Sequence, residues 1–254
     1  MIEVRNLSKS FDGKQVLKDV NFTMEAGKTN LIIGSSGSGK TVLMKCMIGL
    51  FKPEEGQILY NGVDMASSDI EAKKEIRKQI GMLFQGSALF DSKTVEENVR
   101  FPLDMFTNHS LKQKKERVEE VLARVNLVDA NKKFPSEISG GMQKRVALAR
   151  AIVLNPKFLF CDEPNSGLDP KTSLLIDKLI QDITHEFNIT TIINTHDMNS
   201  VMEIGENIIF INKGEKAWQG NSNEIYDTGC QPLEDFIFAS ELFKKIKHVH
   251  SSNK

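Results

Sequence analysis

Apolar and polar positions alternate through IEVRNL and again through QVLKDVNFTM, the two-residue period of half-buried strands. TNLII (29–33) is instead a continuous apolar run ending in glycine and serine, and a helical stretch from Lys40 to Leu50 follows it. Gln57–Tyr60 reads as a further strand closed by the turn dipeptide Asn61-Gly62, and Ile80–Gln85 as another. The middle of the chain changes period. Thr94-Val-Glu-Glu97 is a capping-box pattern that opens a helix. Leu111–Val125 carries Leu111, Val118, Leu122 and Val125 on one face and a solvated KQKKERVEE face opposite. Ser139 caps a third helix running to about Leu154.

Strand character returns at KFLFCDE (157–163). Asp169-Pro170 starts a helix to about Phe187, ITTIIN (189–194) is a buried strand, and IIFINKGEKAWQG reads as a hairpin. Strands alternating with helices predict an α/β fold with a mostly parallel sheet covered on both faces, into which the helical middle is inserted.

A chain of 254 residues suffices for one large α/β domain or two small ones. With 40% apolar and 26% charged residues it has an ordinary globular composition, and a net charge of −1 gives no footprint for nucleic-acid binding. Cys46, Cys161 and Cys230 are too scattered for a disulfide framework or a zinc motif and read as reduced, partly buried thiols, as Trp218 and Cys230 read as packing residues. The N-terminus is charged from its third residue, unlike a signal peptide, and no run approaches the roughly 18 apolar residues of a spanning helix. A cytoplasmic protein without direct membrane insertion is expected, reaching a membrane only through a partner.

The chemistry starts at residues 34–41, GSSGSGKT, which match G-x-x-x-x-G-K-[ST] between a buried strand and a helix. Gly34, Gly37 and Gly39 free the backbone to turn its N–H groups, with those of Ser35, Ser36 and Ser38, around a phosphate. Lys40 supplies a compact cation, the Thr41 hydroxyl a Mg²⁺ ligand, and the helix N-terminus a positive potential. FLFCDE completes the pair: a buried strand delivers Asp162 to the Mg²⁺ shell and Glu163 to the γ-phosphate, where a water must lose a proton. Asn212-Lys213-Gly214-Glu215 resembles a guanine reader only faintly and sits in a hairpin pattern, so ATP is favoured over GTP.

ISGGMQKR (138–145) repeats the phosphate-loop chemistry far along the chain, with a serine, two glycines and a helix N-terminus. One γ-phosphate does not need two such sites from one chain. Two chains head to tail would let each signature cap the other's ATP.

With these residues the chain resembles the nucleotide-binding subunit of ABC transporters over nearly its full length. It has GSSGSGKT, Gln85 as the Q-loop, ISGGMQKR, FLFCDE, SGLD (166–169) as the D-loop and Thr195-His196-Asp197 as the switch histidine, in the family's order. The resemblance implies a P-loop core with an antiparallel β subdomain and a helical subdomain at about 86–156. The ATPase domain would span 1–229, followed by a C-terminal extension over 230–254. It places Phe11 against adenine with Val16 beside it, Gln85 on Mg²⁺ with Thr41 and Asp162, and Ser139, Gly140, Gly141 and Met142 on the partner's γ-phosphate. Lys40, Glu163 and His196 would be the catalytic set. Ile138, Met142 and Asn165 depart from the family's usual residues, and none of these three side chains is itself a phosphate contact, Met142 offering its backbone N–H.

GSALFDSKTVEENVRFPL is similar to the ATPases of maintenance-of-lipid-asymmetry (Mla) systems, which work with MCE-domain proteins. That implies a homodimer driving separate permease subunits for phospholipids, peripheral at the cytoplasmic face of the inner membrane. The alternatives are the ATPase of an amino-acid-type importer and a non-transport regulatory ATPase. FIFASELFKKIKHVH (236–250) reads as an amphipathic helix docked on its own domain, on the second ATPase chain or on the membrane surface.

Overall fold

The computed structural model describes residues 1–66, 68–226 and 228–238. In chain order it holds β1 (Ile2–Phe11), β2 (Lys14–Met24), β3 (Thr29–Ile33), α1 (Lys40–Met47), β4 (Glu55–Tyr60) and β5 (Val63–Asp64). Next come α2 (Ile70–Lys78), β6 (Ile80–Leu83), α3 (Val95–Phe106), α4 (Leu111–Arg124) and α5 (Gly140–Ile152). The remainder is β7 (Phe158–Asp162), α6 (Pro170–Glu186), β8 (Thr190–Asn194), α7 (Met198–Ile204), β9 (Asn207–Asn212), β10 (Glu215–Gly220) and α8 (Gln231–Ile237). The class is α/β. The chain divides into two compact units, one made of the described residues of Met1–Glu25, Thr29–Ser67 and Asn194–Lys254, the other of Ala26–Lys28 and Ser68–Ile193.

In the first unit, β1 pairs antiparallel with both β2 and β4, giving the order β2-β1-β4-β5. The alternation in IEVRNL does its expected work: Ile2 and Val4 are buried while Arg5 is exposed. A second set, β10-β9-β3, joins β3 and β9 in parallel and β9 and β10 as the predicted hairpin. All five residues of β3 are buried, so this strand reads as an unbroken apolar run rather than an alternation. Helix α1 stops at Met47, short of the predicted Leu50. Gly49, at φ 76°, turns its N–H back to the Cys46 carbonyl, a left-handed glycine stop. Leu233 and Ile237 of α8 are buried and Phe236 packs against Phe210 at 5.6 Å, so the described start of the C-terminal segment rests on its own unit. The remainder of the predicted 236–250 helix lies outside the described residues.

In the second unit the strand order is β8-β7-β6, with β6 and β7 parallel. Helices α3, α4 and α5 occupy the stretch expected to be helical. Thr94 and Glu97 form the predicted capping box, and Ser110 with Gln113 forms a second that the sequence pattern did not single out. Helix α4 buries Val118, Val121 and Leu122, whereas Leu111 is exposed because the first turn runs beyond the packed face. Helix α2 was not predicted: IEAKKEIRK buries only Ile76, too little for a readable stripe. Ile80–Gln85 shortens to β6, since Phe84 and Gln85 leave the ladder as exposed loop. Burial pushes the Cys46 thiol up to about 11 and raises that of Cys161, in line with their reading as inert thiols.

One buried side chain shapes the loop between β6 and α3. Asn98 of α3 has no exposed surface. Its carboxamide accepts the Phe90 N–H and donates to the carbonyls of Phe90, Lys93 and Thr94, at 2.8 to 3.1 Å. Asn98→Ala orphans these groups and is expected to cost about 2–3 kcal/mol in urea unfolding. A loss below about 0.5 kcal/mol would show that water replaces the side chain without penalty.

Candidate functional site

The first unit carries the phosphate loop. Buried β3 delivers the chain to Gly34, and residues 34–39 wrap before α1 begins at Lys40. Gly34, Gly37 and Gly39 have φ of 149°, 77° and 109°. At Gly34 a side chain is excluded: a Cβ would lie 2.2 Å from the Ile211 carbonyl. At Gly39 it would press on Leu17 and the Val16 carbonyl, at 2.9 and 3.1 Å, which places Val16 beside the loop. The Lys40 ammonium is buried and donates to the carbonyls of Gly34 and Ser35 at 2.7 and 3.1 Å. Ser35, Ser36 and Gly37 are exposed, as is Thr41 at the second position of α1.

Helix α1 has no side-chain cap and no acidic residue in its first turn. The Ser38 hydroxyl is buried with no hydrogen-bond partner. Uncapped N–H groups, an orphaned hydroxyl and a lysine folded onto the loop fit an anionic phosphate chain. The switch residue belongs to the same unit: the Thr195 N–H bonds the Ile32 carbonyl of β3, tethering exposed His196 beside the strand that feeds the loop. Phe11 ends β1 as an exposed residue, its ring edge-on to Phe51 at 5.3 Å and with the Lys9 ammonium over it at 4.9 Å from the centroid.

The second unit carries the other set. Strand β7 buries Phe158, Leu159, Phe160 and Cys161, then presents half-buried Asp162 and Glu163. Glu163 sits at φ 47°, in the left-handed region where a non-glycine residue is strained. The exposed Gln85 amide reaches the Ser166 hydroxyl of the D-loop at 3.4 Å. Ser139 caps α5, accepting the Met142 N–H at 3.3 Å, with Ser139 and Gly140 exposed. A Cβ on Gly141 would meet the Thr172 methyl at 2.8 Å, so the signature glycine also lets α5 approach α6. Asp169 caps α6 through the Thr172 N–H and hydroxyl. Those hydrogen bonds hold its carboxyl below the usual range.

Thr41 of the first unit, and Gln85 and Asp162 of the second, each offer an oxygen donor, the donor type that suits a hard cation such as Mg²⁺. Among the described residues no group of three or more His, Cys, Asp or Glu side chains is placed to hold a metal.

Sequence reasoning passed over two cations of α5. Lys144 is 4% exposed and its ammonium donates to the Gln85 carbonyl. Burial lowers its pKa, opposed by nearby Cys161, Glu163 and Asp162. Arg150, also lowered by burial, donates to the Ser87 and Ala88 carbonyls at 2.7 Å each. The available signal was Arg150 interrupting the apolar run VALARAIVL. After Gln85, Ala88 and Phe90 are exposed and Leu89 is half-buried. Ala88 and Phe90 border a groove of about 310 Å³ with an aromatic side of Phe84, Phe90, Phe101 and Phe106 and with Arg77, Lys78 and Arg150 also in its lining; Phe90 is edge-on to Phe101 at 4.8 Å.

Residues 17–166 match the family model described as ABC transporter. A probable ribonucleotide transport ATP-binding protein, mkl, of Mycobacterium tuberculosis is 42% identical over 207 residues, covering 82% of this chain. The chain spans only 58% of that relative's length. A methionine import ATP-binding protein, MetN, of Clostridioides difficile is 38% identical over 93% of this chain and 74% of its own. Among solved structures, MJ0796, a bacterial ABC transporter cassette, superposes with a TM-score of 0.79 at 32% identity, covering 87% of this chain and 99% of that one. It has been solved as a dimer, and as a dimer in a post-hydrolysis state bound to ADP and Pi. Motif order, folded phosphate loop and these likenesses agree: the chain belongs to the ABC transporter family, as an ATP-binding cassette.

Proposed function

We propose that this chain is the ATP-hydrolysing subunit of an ABC transporter, working as a head-to-tail dimer on a separate permease. The observation that carries the reading is the phosphate loop, folded as an uncapped, lysine-bearing cradle between β3 and α1. The dimeric MJ0796 structures support the two-chain arrangement, and the state with ADP and Pi supports turnover.

In this reading Lys40 releases its loop carbonyls to meet the β- and γ-phosphates, and Phe11 stacks on adenine beside Val16. Ser139 and the N–H groups of Gly140, Gly141 and Met142 of the second chain cap the same γ-phosphate, which draws the two copies together. Glu163 takes the proton from the attacking water, and His196 donates to the oxygens on which charge develops. Thr41, Gln85 and Asp162 would hold Mg²⁺, which would supply positive charge against the phosphates. Hydrolysis removes the bridging charge, and the dimer opens.

The finer reading is phospholipid transport with an MCE-domain partner, at the cytoplasmic face of the cell membrane. It rests on GSALFDSKTVEENV and on the aromatic groove it borders, where a coupling helix of the permease would seat. No described helix is long and apolar enough to cross a membrane; in this reading the pore belongs to separate permease subunits. The MetN likeness favours a second reading, an amino-acid importer.

Glu163→Gln is expected to bind ATP with unchanged affinity, lose turnover by about 10²-fold or more and accumulate as a dimer by size exclusion. Normal turnover in this variant would sink the assignment. Phe90→Glu should leave the basal ATPase rate within about twofold while abolishing capture of the permease, since it removes the Phe90 ring from the groove's apolar side and draws a carboxylate toward Arg77, Lys78 and Arg150. Retention of the permease by Phe90→Glu would move the docking face elsewhere. Affinity purification from native membranes decides the cargo class: a permease with an MCE-domain protein is expected, and a permease with a substrate-binding protein would establish solute import instead.

A further inference from the structure

Helix α5 carries the signature at its N-terminus and three cations further along, of which Lys144 and Arg150 are committed to the same short stretch of main chain while Arg145 donates to the Asn126 carbonyl. The Lys144 ammonium donates to the carbonyl of Gln85, and the Arg150 guanidinium donates to those of Ser87 and Ala88. Three of the four carbonyls from 85 to 88 therefore end on side chains of one helix. The stretch is one that needs holding. Ser87 and Ala88 are successive non-glycine residues at φ 62° and 47°, a left-handed pair that L side chains disfavour. The turn's own bonds are short-range, from the Ser87 N–H to the Phe84 carbonyl and from the Ala88 N–H to the Gly86 carbonyl.

Both donors are costly to keep. A buried ammonium is tolerated only with strong hydrogen-bond partners, and an apolar side chain of similar length would suit the buried flank of α5 without them. Val146, Ala147, Leu148 and Ala149, between the two cations, are fully buried and apolar. Lys144 and Arg150 therefore flank the apolar buried stretch of α5 as fasteners.

We propose that Lys144 and Arg150 are positioning residues that clamp the Gln85–Ala88 backbone to α5, so that the signature, the Gln85 side chain and the apolar face Ala88–Phe90 move as one body. Its consequence for transport rests on the functional reading above: engagement of a γ-phosphate at Ser139 would be carried by α5 directly to the permease-facing loop. Without the clamp, Ser87 and Ala88 relax toward ordinary φ, and both Gln85 and Phe90 lose their placement.

The test uses the full chain with Lys144→Met and Lys144→Arg, read by hydrogen exchange of amides 86–90 and by steady-state ATPase kinetics. Lys144→Met should speed exchange at Ser87 and Ala88 by about tenfold, leave β3 and α4 unchanged and lower kcat about tenfold with KM for ATP within twofold. Lys144→Arg, which keeps charge and donor, should restore both. Unchanged exchange at 86–90 in Lys144→Met overturns the clamp, as does a Lys144→Arg chain damaged as badly as Lys144→Met. Should Lys144→Met fail to fold, Arg150→Met, which removes the donors to the Ser87 and Ala88 carbonyls, carries the same comparison against Arg150→Lys. A wild-type chain without ATPase activity refutes the functional reading alone, because the exchange measurement needs no turnover.

Discussion

A triphosphate is held by backbone N–H groups only where the chain gives up regular structure and aims those groups at one point. Such a loop has little stability of its own, so its two ends must be fixed by elements that cannot move. Strand β3, buried at all five positions, fixes one end, and α1, with Leu43, Met44 and Met47 buried, fixes the other. The close approaches at Gly34 and Gly39 show how little room is left between loop and support. The left-handed glycines, the folded-back Lys40 and the missing helix cap follow from that single demand. In the proposed reading the same logic applies to the bond between Thr195 and Ile32: His196, next along the chain, would sense phosphate and so share the loop's frame.

The second unit repeats the device in a weaker form. Ser139, Gly140 and Gly141 open α5 as the loop glycines open α1, but no lysine stands at its first position. Such an end suits an anion already bound elsewhere more than one it must capture itself. That asymmetry supports the proposed two-chain site. Helix α5 is also where the buried cations sit, so the element that would meet the partner's nucleotide is the one that holds the loop beside the aromatic groove.

Much of this was legible in the sequence, for identifiable reasons. TNLII, the Thr94 capping box, the Ser139 and Asp169 caps and the 207–220 hairpin are local, and local chemistry is written in adjacent residues. What escaped depended on distant partners. Helix α2 buries one residue, so its periodicity carries no stripe. Leu111 fits a helical face but extends past its neighbours. Lys144 looks like any solvated charge in QKR until the Gln85 carbonyl is placed beside it. The strain at Glu163, Ser87 and Ala88 had no sequence signal, because none is a glycine.

The account stands on one claim, that the phosphate loop of one copy and the signature of another complete a single ATP site. Lys40→Ala and Ser139→Phe chains, each inactive alone, test it when mixed. In a head-to-tail heterodimer both lesions fall in one site and leave the other intact, so mixing is predicted to recover about a quarter of wild-type ATPase activity. If Lys40 and Ser139 serve the same chain's ATP, every site in the mixture keeps a lesion. Activity that stays at the level of the separate variants would contradict the account.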